Sequence, residues 1–506
     1  SLLYFNNEFE SNRLKLKLNV YSEQDSKNQP LLLELDSARK ALMASVGDNT
    51  QLAYFPTADS VEFNSNVVLY QKKDTTTANG TYSIFLYSTI TDSARWQVTF
   101  SDVGFNKGDY VQDVNSANGR VFKWIEPINS IPQGNFAPVA LLITPKKQQL
   151  VTLGADYIFN KRNKISVETA LSNNDVNLFS KMDKANDAGY AVNMKYQNLA
   201  PLSHDTLNGW LLSNQLSYEY SGKNFRPVER YRNVEFERDW NLGTATIIND
   251  EHIAGFQTSL IKPGLGNLTY QLKSYQKGSG YKGWMNSAST RLQARKYSVS
   301  GAASYLSTKG LTSQTRYIRH NAEISRPIWR LVLGTRENAE QNKFFSITTD
   351  SLRNNSFAYQ EIEAFLSTQD SSKSKGLLSY KQRYDFAPLV FSFREVTKSE
   401  ETSLSTSFSK NPNHTVSTTT TYRVLSILDS SLTASEPTKT LLNRIDHYLN
   451  LWKGVISANT YYEVGTGQER KQEYYYLEVP AGQGVYTYLG DLNANGVKDL
   501  DEFAIS

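Results

Sequence analysis

An apolar residue at every second position, repeated over stretch after stretch, limits what this chain can become more than any other feature. In "NRLKLKLNVYS", Leu14, Leu16, Leu18 and Val20 alternate with Lys15, Lys17 and Asn19. Successive side chains of an extended strand point to opposite faces, so this pattern predicts a strand with one apolar and one polar surrounding. The alternation returns in "KISVETALS", where Ile165, Val167 and Leu171 oppose Ser166 and Glu168, and in "GYAVNMKYQ", where Val192, Met194 and Tyr196 oppose Asn193 and Lys195. It returns again in "LLSNQLSYEYSG", "NLTYQLKSYQ", "LVFSFREVTK", "TSLSTSFSK" and "HTVSTTTTYRVLS".

Short polar stretches such as "FNKRNK", "KGSG", "STKG" and "SKNPNH" separate these runs. Turns of that kind join neighbouring strands as antiparallel hairpins, so an all-β meander is expected. Helical spacing is concentrated in "QPLLLELDSARKALMASVGD", where Leu35, Ala38, Leu42 and Val46 share a face. Pro30 suits the first turn of that helix and Gly47 its end. One short helix near 30–46 is therefore expected in the N-terminal part.

Two architectures accommodate such a meander. A soluble sandwich hides the apolar face in a shared core, whereas a membrane barrel turns it to lipid. Several runs reach the 9 to 11 residues, roughly, of a tilted membrane strand, longer than the usual sandwich strand. Their polar faces carry Ser, Thr, Asn, Gln and Lys. The chain has 31 Tyr, 23 Phe and 7 Trp, with Tyr and Trp near strand ends in "NGWLLSNQLSYEY", "RPIWRLVLG" and "HYLNLWKGV". Two interfacial girdles would need this supply. The fold expected is thus all-β, an antiparallel meander that is outer-membrane β-barrel-like. The alternative is a soluble cell-surface β-sandwich, an adhesin or glycan-binding protein.

Composition narrows the function classes. A net charge of +4 over 506 residues, with no clustered basic stripe, gives no nucleic-acid footprint. The chain has no cysteine, which removes disulfides, zinc-thiolate sites and thiol nucleophiles. The longest apolar run, "FAPVALLIT", is about half the length of a membrane-spanning helix and is broken by Pro138. "SLLYFNNEF" lacks the basic start and cleavage site of a signal peptide, so processing or excision is expected to have removed the true start.

The five histidines, His204, His252, His320, His414 and His447, show no metal spacing. No nucleophile elbow, phosphate-binding loop or dinucleotide fingerprint occurs. Carboxylate pairs in "SEET" and "NDEH" read as solvated connections. A glycosidase needs only two acids and leaves no spacing signature; the expectation is nonetheless a protein without enzymatic chemistry.

One motif does carry ion chemistry. In "YTYLGDLNANGVKDLDEFAIS", counting Asp491 as position one, Asn493 falls at three, Asn495 at five, Gly496 at six, Val497 at seven, Asp499 at nine and Glu502 at twelve. That is the spacing of a calcium loop: alternate oxygens wrap a hard cation, glycine permits the turn, and a carboxylate closes the shell. The expected ligands are Asp491, Asn493, Asn495, Val497 through its carbonyl, Asp499 and Glu502. Three formal negative charges predict a weak structural calcium site, roughly 10⁻⁴ to 10⁻³ M. The competing reading is an Asn-Gly hairpin turn with acidic decoration, which needs no metal. An echo in "NKGDYVQDVNSANGRVFKW" keeps the Gly-x-Tyr start and the Asn-Gly turn but loses the acids, so a metal-free turn is expected there.

Three regions follow: an N-terminal β region at 1–148 with the helix and the metal-free turn, a hairpin array at 149–478, and a strand plus calcium-loop module at 479–506. The module is expected to continue past Ser506. "VPAGQGVYTYLGDLNANGVKDLDEF" resembles a recurring segment in very large β-rich outer-membrane and surface proteins of the Bacteroidota. "ALLITPKKQQLVTLGADYIFNKRNKISVETALSNNDVNLFS" looks like the strand, turn and strand found beside it in such proteins. The resemblance covers about a third of the chain. It implies an outer-membrane or cell-surface location in a diderm bacterium, with a role in envelope transport, secretion or attachment. The partners expected are the lipid bilayer and envelope proteins, with a glycan as a further candidate and no nucleic acid.

Overall fold

The computed structural model describes the whole chain apart from residues 29–34, 78, 105, 114–119, 206–207, 244–246, 370–373, 467–485, 489–495, 497–498 and 506. Its dominant feature is one 18-stranded antiparallel sheet. The first strands are β1 (Leu2–Glu10), β2 (Leu14–Gln24), β3 (Lys147–Asn160), β4 (Asn163–Asp175), β5 (Ala188–Pro201) and β6 (Leu211–Ser221). Next come β7 (Glu251–Lys262), β8 (Gly266–Lys277), β9 (Tyr281–Ala294), β10 (Tyr297–Gly310), β11 (Ser313–Ile328) and β12 (Leu331–Ser346). The last are β13 (Phe357–Thr368), β14 (Ser374–Pro388), β15 (Phe393–Asn411), β16 (His414–Ile427), β17 (Thr438–Leu451) and β18 (Ile456–Gly465).

Each strand pairs with the one before and the one after it, so the sheet is an unbroken meander. The described pairings give β1 and β18 one neighbour each. Two strands of the N-terminal 148 residues belong to this sheet, because β2 pairs directly with β3 from Lys147↔Gln24 to Tyr157↔Leu14. Residues 25–146 are an insertion between them.

The register keeps the sequence alternation in phase across the sheet. Leu16 lies opposite Ala155, Ala155 opposite Val167, Val167 opposite Met194 and Met194 opposite Tyr218. One position along, Lys17, Gly154, Glu168, Asn193 and Glu219 form the adjacent row on the other face. A slip of one residue would exchange the two faces, so the pattern itself fixes the pairing. Among the described residues no second layer buries Leu171, Leu216 or Leu268 of the apolar face, which are 62%, 53% and 53% exposed.

The two ends of the sheet differ. At one end the connections are short: 11–13, 161–162, 263–265, 295–296, 329–330, 369–373, 412–413 and 452–455, with 202–210 the longest. Local chemistry closes them. Asn160 and Asn411 accept backbone hydrogen bonds from Arg162 and Asn413, at 2.9 and 3.0 Å, and Gly264 takes the left-handed φ of 76°. At the other end lie the long connections 25–146, 176–187, 222–250, 347–356 and 428–437, together with the short 278–280, 311–312 and 389–392. We call these the turn end and the connection end.

The 25–146 insertion builds its own cores. Tyr70, Phe85, Tyr110 and Phe122 are buried together, with Phe100 stacked on Phe122 at 4.7 Å. Helix α1 (Ser37–Ser45) occupies the place expected for a helix, but starts later than Pro30 suggests. Asp36 caps it by accepting from the Arg39 amide at 2.7 Å, and Gly47 follows it at φ 59°. Pro30 lies outside the described residues. Leu35, Leu42 and Val46 pack around Met43, Ala53 and Leu142. Asn177, from the β4–β5 connection, ties the helix to the sheet by donating to the Met43 and Gly47 carbonyls at 2.8 and 2.7 Å. A second helix, the single turn α2 (Phe236–Asp239), adds to the one short helix that the sequence predicts.

Candidate functional site

The polar face carries two features of functional weight: a charge ladder and an infolded connection. Across six consecutive strands, Glu323, Arg336, Glu363, Lys381, Glu401 and Arg423 stand directly opposite one another in turn. Glu323 and Glu363 flank Arg336 at 2.8 and 3.4 Å, and Lys381 meets Glu401 at 3.2 Å. Arg383 and Glu361 continue the sign alternation in the neighbouring row at 3.9 Å. Opposite charges facing across strands contribute about 0.2–1 kcal/mol each. Their larger consequence is a polar surface whose charges cancel locally.

The infolded connection is 222–250. It is too long for a hairpin and rich in rings, and its part from Arg232 to Asn241 lies down on the polar face of β6 to β12. Trp240 is buried with Tyr275, Tyr281, Leu306 and Tyr317, which come from β8, β9, β10 and β11. The Tyr281 hydroxyl donates to the Trp240 carbonyl. Asn241 and Asn342 exchange amide hydrogen bonds at 2.9 and 2.8 Å, and Asn241 also donates to Thr315 at 3.0 Å. Asp239 accepts from Arg319 at 2.8 Å.

Arg232 is the central anchor. Its guanidinium donates to Glu219 at 2.6 Å and to Glu251, while Lys277 meets the other oxygen of Glu251 at 2.9 Å. The same guanidinium lies over Phe236 at 4.5 Å and Tyr231 at 5.1 Å. Burial works to lower the pKa of Arg232, but the two carboxylates outweigh it and hold the group above its ordinary value. Charge, hydrogen bonding and ring contact thus fix the connection together.

Of the predicted calcium ligands, Asp491, Asn493, Asn495 and Val497 lie outside the described residues. Asp499 and Glu502 are described, and they form a reciprocal capping box on the short turn Leu500–Glu502. The Asp499 amide donates to the Glu502 carboxylate at 3.1 Å, and Glu502 is fully buried. The strand Tyr486–Tyr488 pairs with Phe503–Ile505, placing Tyr488 opposite Phe503, so the two ends of the predicted loop meet. Its echo is bracketed in the same way, with Val121–Trp124 antiparallel to Tyr110–Asp113; its Asn-Gly turn falls outside the described residues. Among the described residues no group of three or more His, Asp or Glu is placed to hold a metal.

The structure pairs histidines that are scattered in sequence. His252 contacts the Tyr218 hydroxyl at 2.8 Å, His320 contacts Glu337 at 2.9 Å, and the rings of His414 and His447 lie 5.0 Å apart. Sequence reasoning missed Arg232 and the tyrosines beneath it. The available signals were Tyr275, which falls on the polar parity between Lys273 and Lys277, and a run of rings, Phe225, Tyr231, Phe236 and Trp240, inside a supposed loop. No family model matches this chain, and no curated protein matches it in sequence.

Proposed function

We propose that this chain forms wall strands of an outer-membrane β-barrel in a diderm bacterium. It acts by binding or passage in envelope transport, secretion or surface attachment, without bond-making chemistry. The observation that carries this reading is the exposed apolar face. A single sheet with leucines open along one side and a polar, charge-cancelled opposite side suits lipid on the first and water on the second. Two further features agree with it. Every connection between strands of the sheet longer than nine residues lies at one end, as the long loops of outer-membrane barrels do. Exposed rings on the apolar face include Tyr157 and Tyr297 near the turn end and Tyr190, Tyr218 and Trp284 near the connection end, with Tyr196, Phe256 and Tyr380 between them.

Backbone groups have no water to bond to inside a bilayer, so the outer edges of β1 and β18 require strands beside them. Pairing of the two edges with each other, or an envelope partner, would supply these. The direct test is dispersal. In this reading the protein needs detergent to remain dispersed and shifts its gel mobility on boiling; stable dispersal in plain buffer, with no such shift, would overturn it.

We also propose a structural calcium ion at Asp491, Asn493, Asn495, Val497, Asp499 and Glu502. The capping box does not forbid it, since the same two carboxylates can turn to the ion when it binds. Titration of the whole chain should show a dissociation constant of roughly 10⁻⁴ to 10⁻³ M, weakened at least about tenfold by Asp491→Ala with Glu502→Ala. Equal affinity in parent and variant would remove the site.

A further inference from the structure

On the polar face, near the connection end, the sheet from β1 to β6 and the segment 225–231 frame a cavity of about 520 Å³ that opens to solvent. Its walls combine two kinds of group. Tyr21 from the sheet and Phe225, Val228 and Tyr231 from the segment supply rings and apolar surface. Glu168, Glu219 and Glu229 supply carboxylates, and no Lys or Arg among the described residues lines the space. Arg232 takes up Glu219 from outside the cavity at 2.6 Å. Glu168 and Glu229 are exposed and have no ion-pair partner among the described residues.

We propose that this cavity binds an organic cation with an apolar body, an amine or guanidinium carried on an aromatic or aliphatic group. The adjoining anchor shows that the local chemistry can hold such a group. Arg232 is bound by acids and rings together, through Glu219, Glu251, Phe236 and Tyr231. The cavity offers the same combination next door, sharing Glu219 and Tyr231, to a cation from outside the chain. A ring face attracts a cation through its quadrupole, and Phe225 and Val228 add apolar surface for the body of the ligand. An anionic ligand would meet uncompensated carboxylates, and a purely apolar one would gain nothing from them. The inference concerns the polar face alone, so it stands apart from what covers the apolar one.

The ligand chemistry has two sources, a small amine or a basic side chain on a polypeptide. Calorimetric titration of the full chain in a neutral maltoside detergent separates them, using 2-phenylethylammonium, its neutral counterpart 2-phenylethanol, and N-acetyl-phenylalanyl-arginine amide. At least one cation should bind about tenfold or more tightly than the neutral alcohol. The Glu168→Gln, Glu229→Gln double variant should lose that preference while keeping the parent circular dichroism. Val228→Trp, which fills the space, should abolish binding. Preference for the small amine assigns the site to small molecules, and preference for the dipeptide assigns it to polypeptide. If neither cation outbinds the alcohol, or if the double variant binds like the parent, the proposal fails.

Discussion

Replacing Arg232 with alanine should release the infolded 222–250 connection from the sheet. The substitution removes the guanidinium from two carboxylates that are mostly buried, with Glu219 28% and Glu251 15% exposed. Glu251 keeps Lys277, but Glu219 has no second cation among its ion pairs. Removing one partner of a buried pair costs about 3–5 kcal/mol, because the charge left behind stays desolvated. Partial exposure of Glu219 places this case at about the lower bound, near 3 kcal/mol. The loss should appear as faster hydrogen exchange and proteolysis within 222–250, with the strands of β6 to β12 still protected. Arg232→Lys should rescue only in part, since an ammonium cannot present the two-pronged donor that spans Glu219 and Glu251. Equal protection of 222–250 in the alanine variant and the parent would show that the ring cluster around Trp240 holds the connection alone.

The second large effect is on the apolar face. Leu216 lies centrally in β6 with its side chain open, and Gln215 beside it points to the polar face, opposite Gln197 and Gln257. Arginine at a lipid-facing position near the midplane of a barrel costs about 2–4 kcal/mol. Leu216→Arg should therefore lower stability in liposomes by that amount, measured by denaturant titration, while Gln215→Arg should change it little. If the apolar face met water, both substitutions would stay within about 0.5 kcal/mol.

The sequence exposed the sheet because its signal is local and repeated. Each strand states its two faces through alternating residues, as Leu14 to Val20 do, and the register follows from keeping the faces in phase across neighbours. The helix was legible through its spacing, but its start was not. Asp36 supplies a bonded cap at 2.7 Å and outcompetes the proline signal upstream. The infolded connection stayed hidden because nothing local distinguishes a ring that anchors to a membrane interface from one that packs beneath Trp240. Tyr275, Tyr281 and Tyr317 acquire their role only when three strands and a remote segment converge. The charge ladder was hidden for a related reason: Glu323 and Arg423 are a hundred residues apart in the sequence, and only the register of six strands makes their signs alternate. The spacing of a calcium loop was legible, and the two of its acids that are described, Asp499 and Glu502, cap a turn.

The claim beneath all of this is that the apolar side of the sheet meets hydrocarbon. Because the chain contains no cysteine, single cysteines at neighbouring positions can carry a nitroxide without background. The measurement is the relative access of oxygen and of a water-soluble nickel chelate to labels at Leu216 and Gln215, Phe256 and Gln257, and Leu404 and Ser405, in liposomes. The account predicts that labels at Leu216, Phe256 and Leu404 are relaxed by oxygen and shielded from nickel, with the reverse at their neighbours. Nickel access at Leu216, Phe256 and Leu404 equal to that at Gln215, Gln257 and Ser405 would contradict it.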